Sequence, residues 1–495
     1  MGRYGALVLT VLGLAVSART TLAAESAITG RVEEGSSRAR PLYLRTVLEE
    51  LGFLGMQTAW YWAHAHGSNQ GESFQTRFLG DEDLVLDDDR FRAGGVGHPI
   101  AGTGYYLIAR GNGFGVIGSA LATVLASATW QFFSEWNEKV ATNDLLVTPA
   151  AGWVIGEASY QVGQYFLDRG PGLIDCVGAV LFSPIAAMND ARACRLGENQ
   201  KYHRGDQRRW HRFDLEVGSE RSVFGAGQMV SQLELAADAR ITSHRFYQRP
   251  GAGNNLAGPG QWTTLETSWL IGNDAEQGAQ FHADSIAVGQ YRRHYRESPD
   301  NGLPDGWGNL LALGSSFNYG SRAIPVRWDR VMSVGLVGPM FELTASESPF
   351  ELRVRAAAYY GFAQVTSLAY PEVASTLSNE VIQTVLREQG YYYAQAFLPS
   401  AEMEARYGQF QLKLMGRAGE FWSINADHIH QETFTDTFKL RDARLFTAAA
   451  VAFRPFCGPI RVVLEYANSF WSSSLLGKTV TEREQTVGGS IVLGL

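Results

Sequence analysis

Five ionisable side chains lie in a stretch that is otherwise made of apolar and small residues: His98, Arg110, Glu135, Asp144 and Glu157. Histidine exchanges protons near neutral pH, a carboxylate can orient it, and arginine can bind a phosphate or carboxylate group. Because buried charges must be paired, these side chains are expected to meet, either as an active site or as a structural network.

The active-site hypothesis takes His98 as acid or base and Asp144 or Glu157 as the carboxylate that orients it. Ser127, or Ser119, would then be the nucleophile of a lipid hydrolase such as a phospholipase or a lipid A deacylase. The sequence has neither a Gly-x-Ser-x-Gly nucleophile motif nor a His-Glu-x-x-His zinc motif to support this activity.

The structural hypothesis needs no reaction. Asp144 would cap its own helix and His98 the first helix, while Arg110 would pair with Glu135 or Glu157. Ion-pair networks give the same pattern of residues as active sites, and we favour the network. The residues assigned to it are Arg110, Asn112, Glu135 and Asn143.

A helical block must position these groups. A first helix is expected over 41–69, and the block itself over residues 98–196. Pro99 fits the first turn of a helix that runs to Arg110. The other signals are an uncharged helix over 114–134 rich in small residues, Asn143-Asp144 before a third helix containing Gly152-x-x-x-Gly156, and a fourth helix over 171–195 bent at Pro184.

The spaced residues of this block resemble a known family. The motif reads His98-Pro99-x-x-Gly102-x-x-Tyr105-Tyr106-x-x-Ala109-Arg110-x-Asn112-Gly113, then Ser119, Ser127, Trp130, Asn143-Asp144-Leu145, Thr148-Pro149, Gly152, Gly156-Glu157 and Tyr160. It is similar to the domain of unknown function numbered 3943, over about residues 90–195, which implies a bacterial envelope protein without an established activity. Where that family tends to show Trp-Glu, this chain has Trp130-Gln131, and the nearest acid is Glu135.

The second half of the chain alternates apolar and polar residues, the period of a β-strand. One example is Leu352, Val354, Ala356 and Ala358 against Glu351, Arg353 and Arg355. Twelve strands are predicted, an even number that fits a bacterial transmembrane barrel. They cover about 210–219, 227–241, 261–272, 277–290, 307–320, 328–344, 349–365, 390–405, 408–425, 440–455, 459–471 and 484–495.

The charged face of these strands should line a lumen that is filled by salt bridges or forms a narrow pore. The helical block is the candidate to plug or gate it. Insertions near 242–260 and 366–388 are expected to be extracellular loops. Lumen-facing charges are predicted at Glu234, Asp238, Glu266, Asp284, Arg353, Arg355, Glu402, Glu404, Arg406, Lys413, Arg417 and Glu465, and interfacial aromatic residues at Trp262, Trp269, Trp328, Tyr391, Tyr392, Tyr393, Trp422 and Trp471.

The N-terminus predicts export. Residues 1–24 have the basic start, short apolar stretch and small-residue cleavage sites of a signal peptide, and residues 25–40 read as a linker. The expected location is the outer membrane of a Gram-negative-type bacterium. The expected partners are outer-membrane lipid, the barrel-assembly machinery and an unidentified small-molecule or lipid ligand. The assembly machinery usually reads an aromatic residue at the end of a barrel protein, whereas the last residue here is Leu495.

Composition narrows the remaining possibilities. A net charge of -8 without a basic cluster argues against nucleic acid as a partner. No cofactor and no metal site are expected, because the acidic loop over 78–97 lacks the pattern of a calcium loop and no His/Cys spacing suits zinc. Cys176 and Cys194 would lie too far apart on an unbroken helix, so no disulfide is expected.

These observations predict an α+β chain: a signal peptide over 1–24, a linker over 25–40, a helical bundle over 41–200 and an antiparallel barrel of about 12 strands over 205–495. The predicted role is structural or transport-related, with the helices as plug or gate. An outer-membrane lipid hydrolase is the alternative, and the sequence favours a protein that is not an enzyme.

Overall fold

The computed structural model describes residues 41–64, 86, 90–135, 140–169, 172–189, 210–225, 227–272, 277–298, 304–324, 327–374, 385–386, 390–424, 440–455 and 458–494. The predicted signal peptide and linker lie outside these residues, as does more than half of the acidic loop predicted over 78–97. The last part of that loop was predicted wrongly, because helical residues begin at Phe91. The chain divides into two compact units, one containing the helices up to Asn189 and the other containing the strands from Trp210 onward.

The helical unit contains six α-helices and two π-helical turns within the described residues. They are α1 (Tyr43–His64), π1 (Ala93–Gly97), α2 (His98–Gly111), α3 (Val116–Thr129), π2 (Trp130–Ser134), α4 (Thr142–Arg169), α5 (Leu173–Phe182) and α6 (Pro184–Asn189). Helix α4 is the central element, because α2, α3, α5 and α6 all pack against it.

Helix α2 covers the predicted residues, but it does not begin at Pro99. Helical residues start at Phe91, and π1 leads directly into His98. Proline has no N–H to donate to the preceding turn, which here takes the wider π form. His98 therefore lies inside a continuous helical stretch. The structural hypothesis, in which His98 caps the helix, was wrong on this point.

Glycines allow α2 and α4 to approach closely. A Cβ atom on Gly102 would lie 1.9 Å from the Thr148 carbonyl oxygen and 3.2 Å from the Gly152 Cα. Both of these atoms belong to the backbone, so a larger residue at this position must push the two helices apart.

We expect Gly102→Ala to lower the free energy of unfolding of the helical unit by about 1–3 kcal/mol, through overpacking. The measurement is thermal unfolding of the full chain in detergent, followed by circular dichroism at 222 nm. Gly52→Ala on α1 is the matched control, since its Cβ would meet nothing within 4 Å. Equal effects of the two substitutions would contradict the prediction.

The second unit is antiparallel, and its strands are long enough to cross a membrane when tilted. Twelve of them match the predicted strands in order. The strands are β1 (Trp210–Phe224), β2 (Met229–Thr242), β3 (Gly251–Ala257), β4 (Trp262–Ile271), β5 (Gly278–Arg296), β6 (Asp305–Ile324), β7 (Arg327–Glu347), β8 (Phe350–Thr366), β9 (Tyr391–Tyr407), β10 (Phe410–Ser423), β11 (Arg441–Phe453), β12 (Ile460–Leu475) and β13 (Lys478–Gly494). A short helix, α7 (Tyr370–Val373), follows β8.

Strand pairing closes the sheet into a barrel of 12 strands, which confirms the predicted architecture. The first and last strands pair, with Asp214 opposite Gly494 and Phe224 opposite Glu484. The short strand β3 is an addition that pairs with the end of β5 beyond the reach of β4. Its sequence, GAGNNLA, has no alternation that could have revealed it.

Large apolar side chains cover the outside of the barrel, where a membrane barrel contacts lipid. The predicted aromatic positions are split: Trp269 and Trp328 are exposed, but Trp262, Trp471 and the run Tyr391–Tyr393 are buried, so that part of the interfacial prediction was wrong. Exposed apolar side chains occur at Leu215, Val217, Leu233, Leu311, Leu313, Val337, Leu412, Leu414, Leu445, Val451, Val462, Leu464, Val487 and Ile491.

The two long insertions lie at opposite ends of the barrel. The segment over 243–261 joins β2 to β4 at the end where β1 begins and β13 finishes, whereas the segment over 367–390 joins β8 to β9 at the other end. They cannot both be extracellular, so that prediction was wrong for one of them.

The prediction of no disulfide was also wrong, because Cys176 is disulfide-bonded, to a partner outside the described residues. The prediction assumed an unbroken helix. Instead α5 ends at Phe182, Ser183 leaves the helical conformation, and Pro184 begins a new helix, so the chain changes direction after Cys176.

Candidate functional site

The first polar cluster of the helical unit is centred on Glu157, which is completely buried in α4. Arg110 from α2 binds both of its oxygens, from Nε at 2.8 Å and from Nη2 at 3.0 Å. The Tyr106 hydroxyl donates to it at 2.7 Å, and Gln161 donates at 2.6 Å from the next turn of α4. This is one of the two partners predicted for Arg110.

Arg110 makes two further contacts in this cluster. Arg110 Nη1 donates to the Phe114 carbonyl at 2.9 Å, and the guanidinium lies 4.3 Å from the centre of the Tyr160 ring. Burial and the adjacent Glu157 carboxylate raise the pKa of Tyr106, which keeps its hydroxyl protonated as a donor. A carboxylate saturated by its own protein has the character of a structural group.

The second cluster is centred on Asp144 in the first turn of α4. His98 Nε2 lies 3.4 Å from Asp144 Oδ1, which also accepts from Asn143 at 2.7 Å. The Gln131 amide donates to the other Asp144 oxygen at 3.1 Å and to Glu135 at 2.5 Å. Gln131, at the position where the resembled family tends to have an acid, therefore holds two carboxylates of this cluster.

Two π-helical turns lie beside the second cluster. His98 directly follows π1, and Gln131 lies within π2. Widened turns of this kind are frequent at functional sites because they re-aim a side chain without ending the helix. Here they bring residues of α2 and π2 to the N-terminal turn of α4.

Some of the predicted groups are not brought together. Ser127 is buried in α3, and within the described residues no hydrogen bond joins it to His98. Asn112 belongs to a separate contact, where it donates to Glu49 at 2.6 Å and accepts from Asn189 at 3.1 Å. The proposed nucleophile Ser127 and the proposed base His98 are therefore not hydrogen-bonded to each other in this structure.

Glu50 was not identified by its sequence. It lies on the inward face of α1, and among the described residues neither carboxylate oxygen has a hydrogen-bond partner. Burial, and secondarily the nearby Glu49, raise the pKa of Glu50 to about 9. Folding therefore favours the protonated form, so the stability associated with this group is complete at low pH and is lost as pH rises from about 4.5 towards 9.

We expect Glu50→Gln to raise the melting temperature of the helical unit at pH 8 and to change it little at pH 4, because glutamine has the shape of the protonated acid. Thermal unfolding of the full chain at the two pH values measures this. Glu49→Gln serves as the control and should not raise the melting temperature at pH 8, because it removes one side of the Arg45–Glu49 ion pair. An equal gain at both pH values for Glu50→Gln would contradict the assignment.

The lumen of the barrel contains ion pairs between strands on opposite sides. Arg240 on β2 binds Glu402 on β9 through two hydrogen bonds of 2.5 and 2.9 Å. Arg417 on β10 binds Glu266 on β4. In each pair the strands are six apart in a ring of twelve, so both contacts cross the full width of the lumen.

Two further ion pairs belong to the same set of residues, which we call the cross-lumen belt. Arg212 on β1 reaches Glu404 on β9 at 2.5 Å, and Arg240 also lies 3.5 Å from Glu266. The belt thus consists of Arg212, Arg240, Glu266, Glu402, Glu404 and Arg417. Its members are buried or half-buried, so side chains of the barrel itself fill this level of the lumen.

Inward-folded loops cover the lumen towards both ends. At the end where β1 begins, Tyr247 from the loop after β2 is buried and donates to Glu342 on β7 at 2.9 Å. At the other end, the backbone N–H of Ala369 donates to the Ser473 hydroxyl of β12 at 3.1 Å, and Leu368 is buried. Loop residues therefore contact the inner wall of the barrel towards both ends, in addition to the contacts across its middle.

In the part of the chain that the structure describes, no group of three or more His, Cys, Asp or Glu side chains could hold a metal ion. By length and composition alone, the stretch Val116–Ser134 of α3 and π2 could cross a membrane.

Residues 83–185 match the family model described as "Domain of unknown function (DUF3943)", which confirms the resemblance found in the motif. The match covers about a fifth of the chain, in the helical unit. No curated protein sequence is significantly similar to this chain.

Solved structures similar to the chain include an outer membrane protein, an outer membrane channel and an autotransporter translocator domain. A loop L8 deletion mutant of OmpT, an outer membrane protein of Vibrio cholerae, is 7% identical, with 58% of this chain and 100% of that chain covered and a TM-score of 0.22. The outer membrane channel DcaP of Acinetobacter baumannii is 7% identical, with 58% and 97% covered and a TM-score of 0.23. The translocator domain of the autotransporter NalP from Neisseria meningitidis is 11% identical, with 57% and 88% covered and a TM-score of 0.20.

Proposed function

We propose that this chain is an outer-membrane barrel protein with a closed resting lumen and a structural or gated transport role. The observation that carries the proposal is the cross-lumen belt, in which pairs such as Arg240–Glu402 join opposite walls. An open porin keeps a water-filled channel between its walls, and direct contact between opposite walls removes that channel at the level of the belt.

The apolar outer surface supports the membrane location, because residues such as Leu464 and Val487 are exposed on a barrel whose charges face inward. Water would disfavour such a surface, whereas lipid favours it. Export by a cleaved signal peptide and insertion by the barrel-assembly machinery belong to this proposal.

The helical unit is proposed as the gating element, whether it acts as a plug or from outside the lumen. It carries a dense polar network, in which Arg110–Glu157 and His98–Asp144 fix α2 against α4. A rigid unit of this kind could hold the barrel in one state. A ligand that opens the barrel would be a small molecule or a lipid.

The test is single-channel recording in planar lipid bilayers with the full chain and with a chain lacking residues 41–189. We expect the full chain to be silent and the shortened chain to open in discrete steps, if the helices gate the barrel. Folding of both barrels is checked by their heat-modifiable migration in electrophoresis. Silence of both folded proteins would overturn gating by the helices and leave the structural role.

A further inference from the structure

Helix α1 is amphipathic in the reverse sense to a helix of a water-soluble protein. Its buried side contains Thr46 and Glu50 along with Leu54. Its exposed side is almost wholly apolar, with Leu44 at 74% exposure and Leu48 at 61%. Soluble helices turn their apolar stripe inward and their polar residues outward. The exposed apolar residues of α1 are Tyr43, Leu44, Val47, Leu48, Leu51, Met56, Trp60 and Trp62.

Helix α5 shows the same inversion with small residues on the inside. Gly178 and Ala179 are buried, and a Cβ on Gly178 would lie 2.6 Å from the Phe166 ring. Ile174 is 72% exposed and Leu181 is 71% exposed. Small residues between helices and large apolar residues on the outside are typical of helices packed within lipid.

Charged side chains of the helical unit lie at its centre, whereas its outer surface is mainly apolar. The central helix α4 carries Asp144 and Glu157, both buried, and α2 supplies His98 to Asp144 and Arg110 to Glu157. Other peripheral elements add apolar exposure, with Ile100 on α2 and Phe133 on π2. The inversion is therefore a property of the whole unit and not of one helix.

From this inversion we propose that the outer face of the helical unit, defined by the exposed apolar residues of α1 and α5, contacts the hydrocarbon of a lipid bilayer. Exposed apolar area of this extent is unfavourable in water. A lumen lined by Arg240, Glu402 and similar groups does not complement such a face. A bilayer does, and the barrel already presents an apolar surface to it, for example at Leu464.

The proposal does not depend on gating, since lipid contact holds whether or not the barrel opens. It predicts that the helical unit associates with the membrane through its own apolar surface, independently of the barrel. A water-facing unit would need several charged side chains at the exposed positions of α1 and α5, where this chain has Arg45 and otherwise mainly leucine, isoleucine and valine.

The test places the photoreactive amino acid p-benzoylphenylalanine at position 51 or 177 of the full chain, in vesicles of phosphatidylethanolamine and phosphatidylglycerol. Position 464, on the lipid-facing side of β12, is the positive control. After irradiation, mass spectrometry identifies what each position has bonded to, in variants whose heat-modifiable migration matches the unmodified protein.

We expect lipid adducts at positions 51 and 177 in a yield within about threefold of that at position 464. A dimer band at the same positions would show that a second copy covers the face, and a cross-link within the chain would show that the face packs against its own barrel. Either result, or an absence of adducts at 51 and 177 while 464 reacts, would overturn the proposal.

Discussion

Arg240→Ala should lower the free energy of unfolding of the barrel by about 3–5 kcal/mol, the range for breaking a buried ion pair. Arg240 is almost completely buried and lies within 3.5 Å of Asp238, Glu266 and Glu402. Without the guanidinium, three carboxylates remain close together in a poorly hydrated lumen and repel one another. Equilibrium unfolding in urea with the protein in lipid vesicles, followed by tryptophan fluorescence, measures the change.

The matched control is Arg441→Ala. Arg441 also forms an ion pair between strands, with Glu420 at 3.2 Å, but both side chains are well exposed. Exposed pairs contribute about 0–1 kcal/mol, so this variant should unfold close to the wild-type urea concentration. If the two variants lose the same stability, the contacts across the lumen do not hold the opposite walls together.

Glu157→Ala should have an effect of similar size on the helical unit. It removes both oxygens bound by Arg110 and leaves a buried guanidinium unpaired, which costs about 3–5 kcal/mol. It also deprives Tyr106 and Gln161 of their acceptor. Limited proteolysis of the full chain across a temperature series reports the unfolding of these helices separately from the barrel.

A double substitution separates the ion pair from simple loss of packing. Arg110→Met in the Glu157→Ala background removes the unpaired charge and should recover part of the stability, because the coupling between contacting residues is not additive. Arg45→Ala is the control on an exposed pair, Arg45–Glu49, and should cost well under 1 kcal/mol. Lack of any recovery in the double variant would argue that Arg110 does not depend on Glu157.

Strand positions were predictable from the sequence because period-two alternation is a local signal. Residues such as Leu352 and Arg353 alternate along β8 with an apolar outside and a charged lumen, and the pattern needs no knowledge of the neighbours. Strand β3 was missed because Gly251–Ala257 pairs at the end of the barrel, where alternation between two environments is not required.

The pairing of residues within the candidate sites could not be predicted from the sequence, because it depends on contacts between distant parts of the chain. Arg110 had two plausible acids, and only the approach of α2 to α4 through Gly102 selects Glu157 over Glu135. The residue types of α1 also do not show which of its faces packs against the other helices. Its leucines predict a helix whether they face inward or outward, so the inward direction of Glu50 became evident only from the fold.

The contacts between opposite walls have a consequence for the order of folding. Arg240 and Glu402 are 162 residues apart in sequence and meet only when the sheet has curled into a ring. Contacts of such sequence separation are expected to form late, because chain entropy must be lost before they can be made. Interactions absent from the transition state slow unfolding without accelerating folding. We therefore expect the charged interior to form after β1 and β13 have paired and to slow the unfolding of the finished barrel.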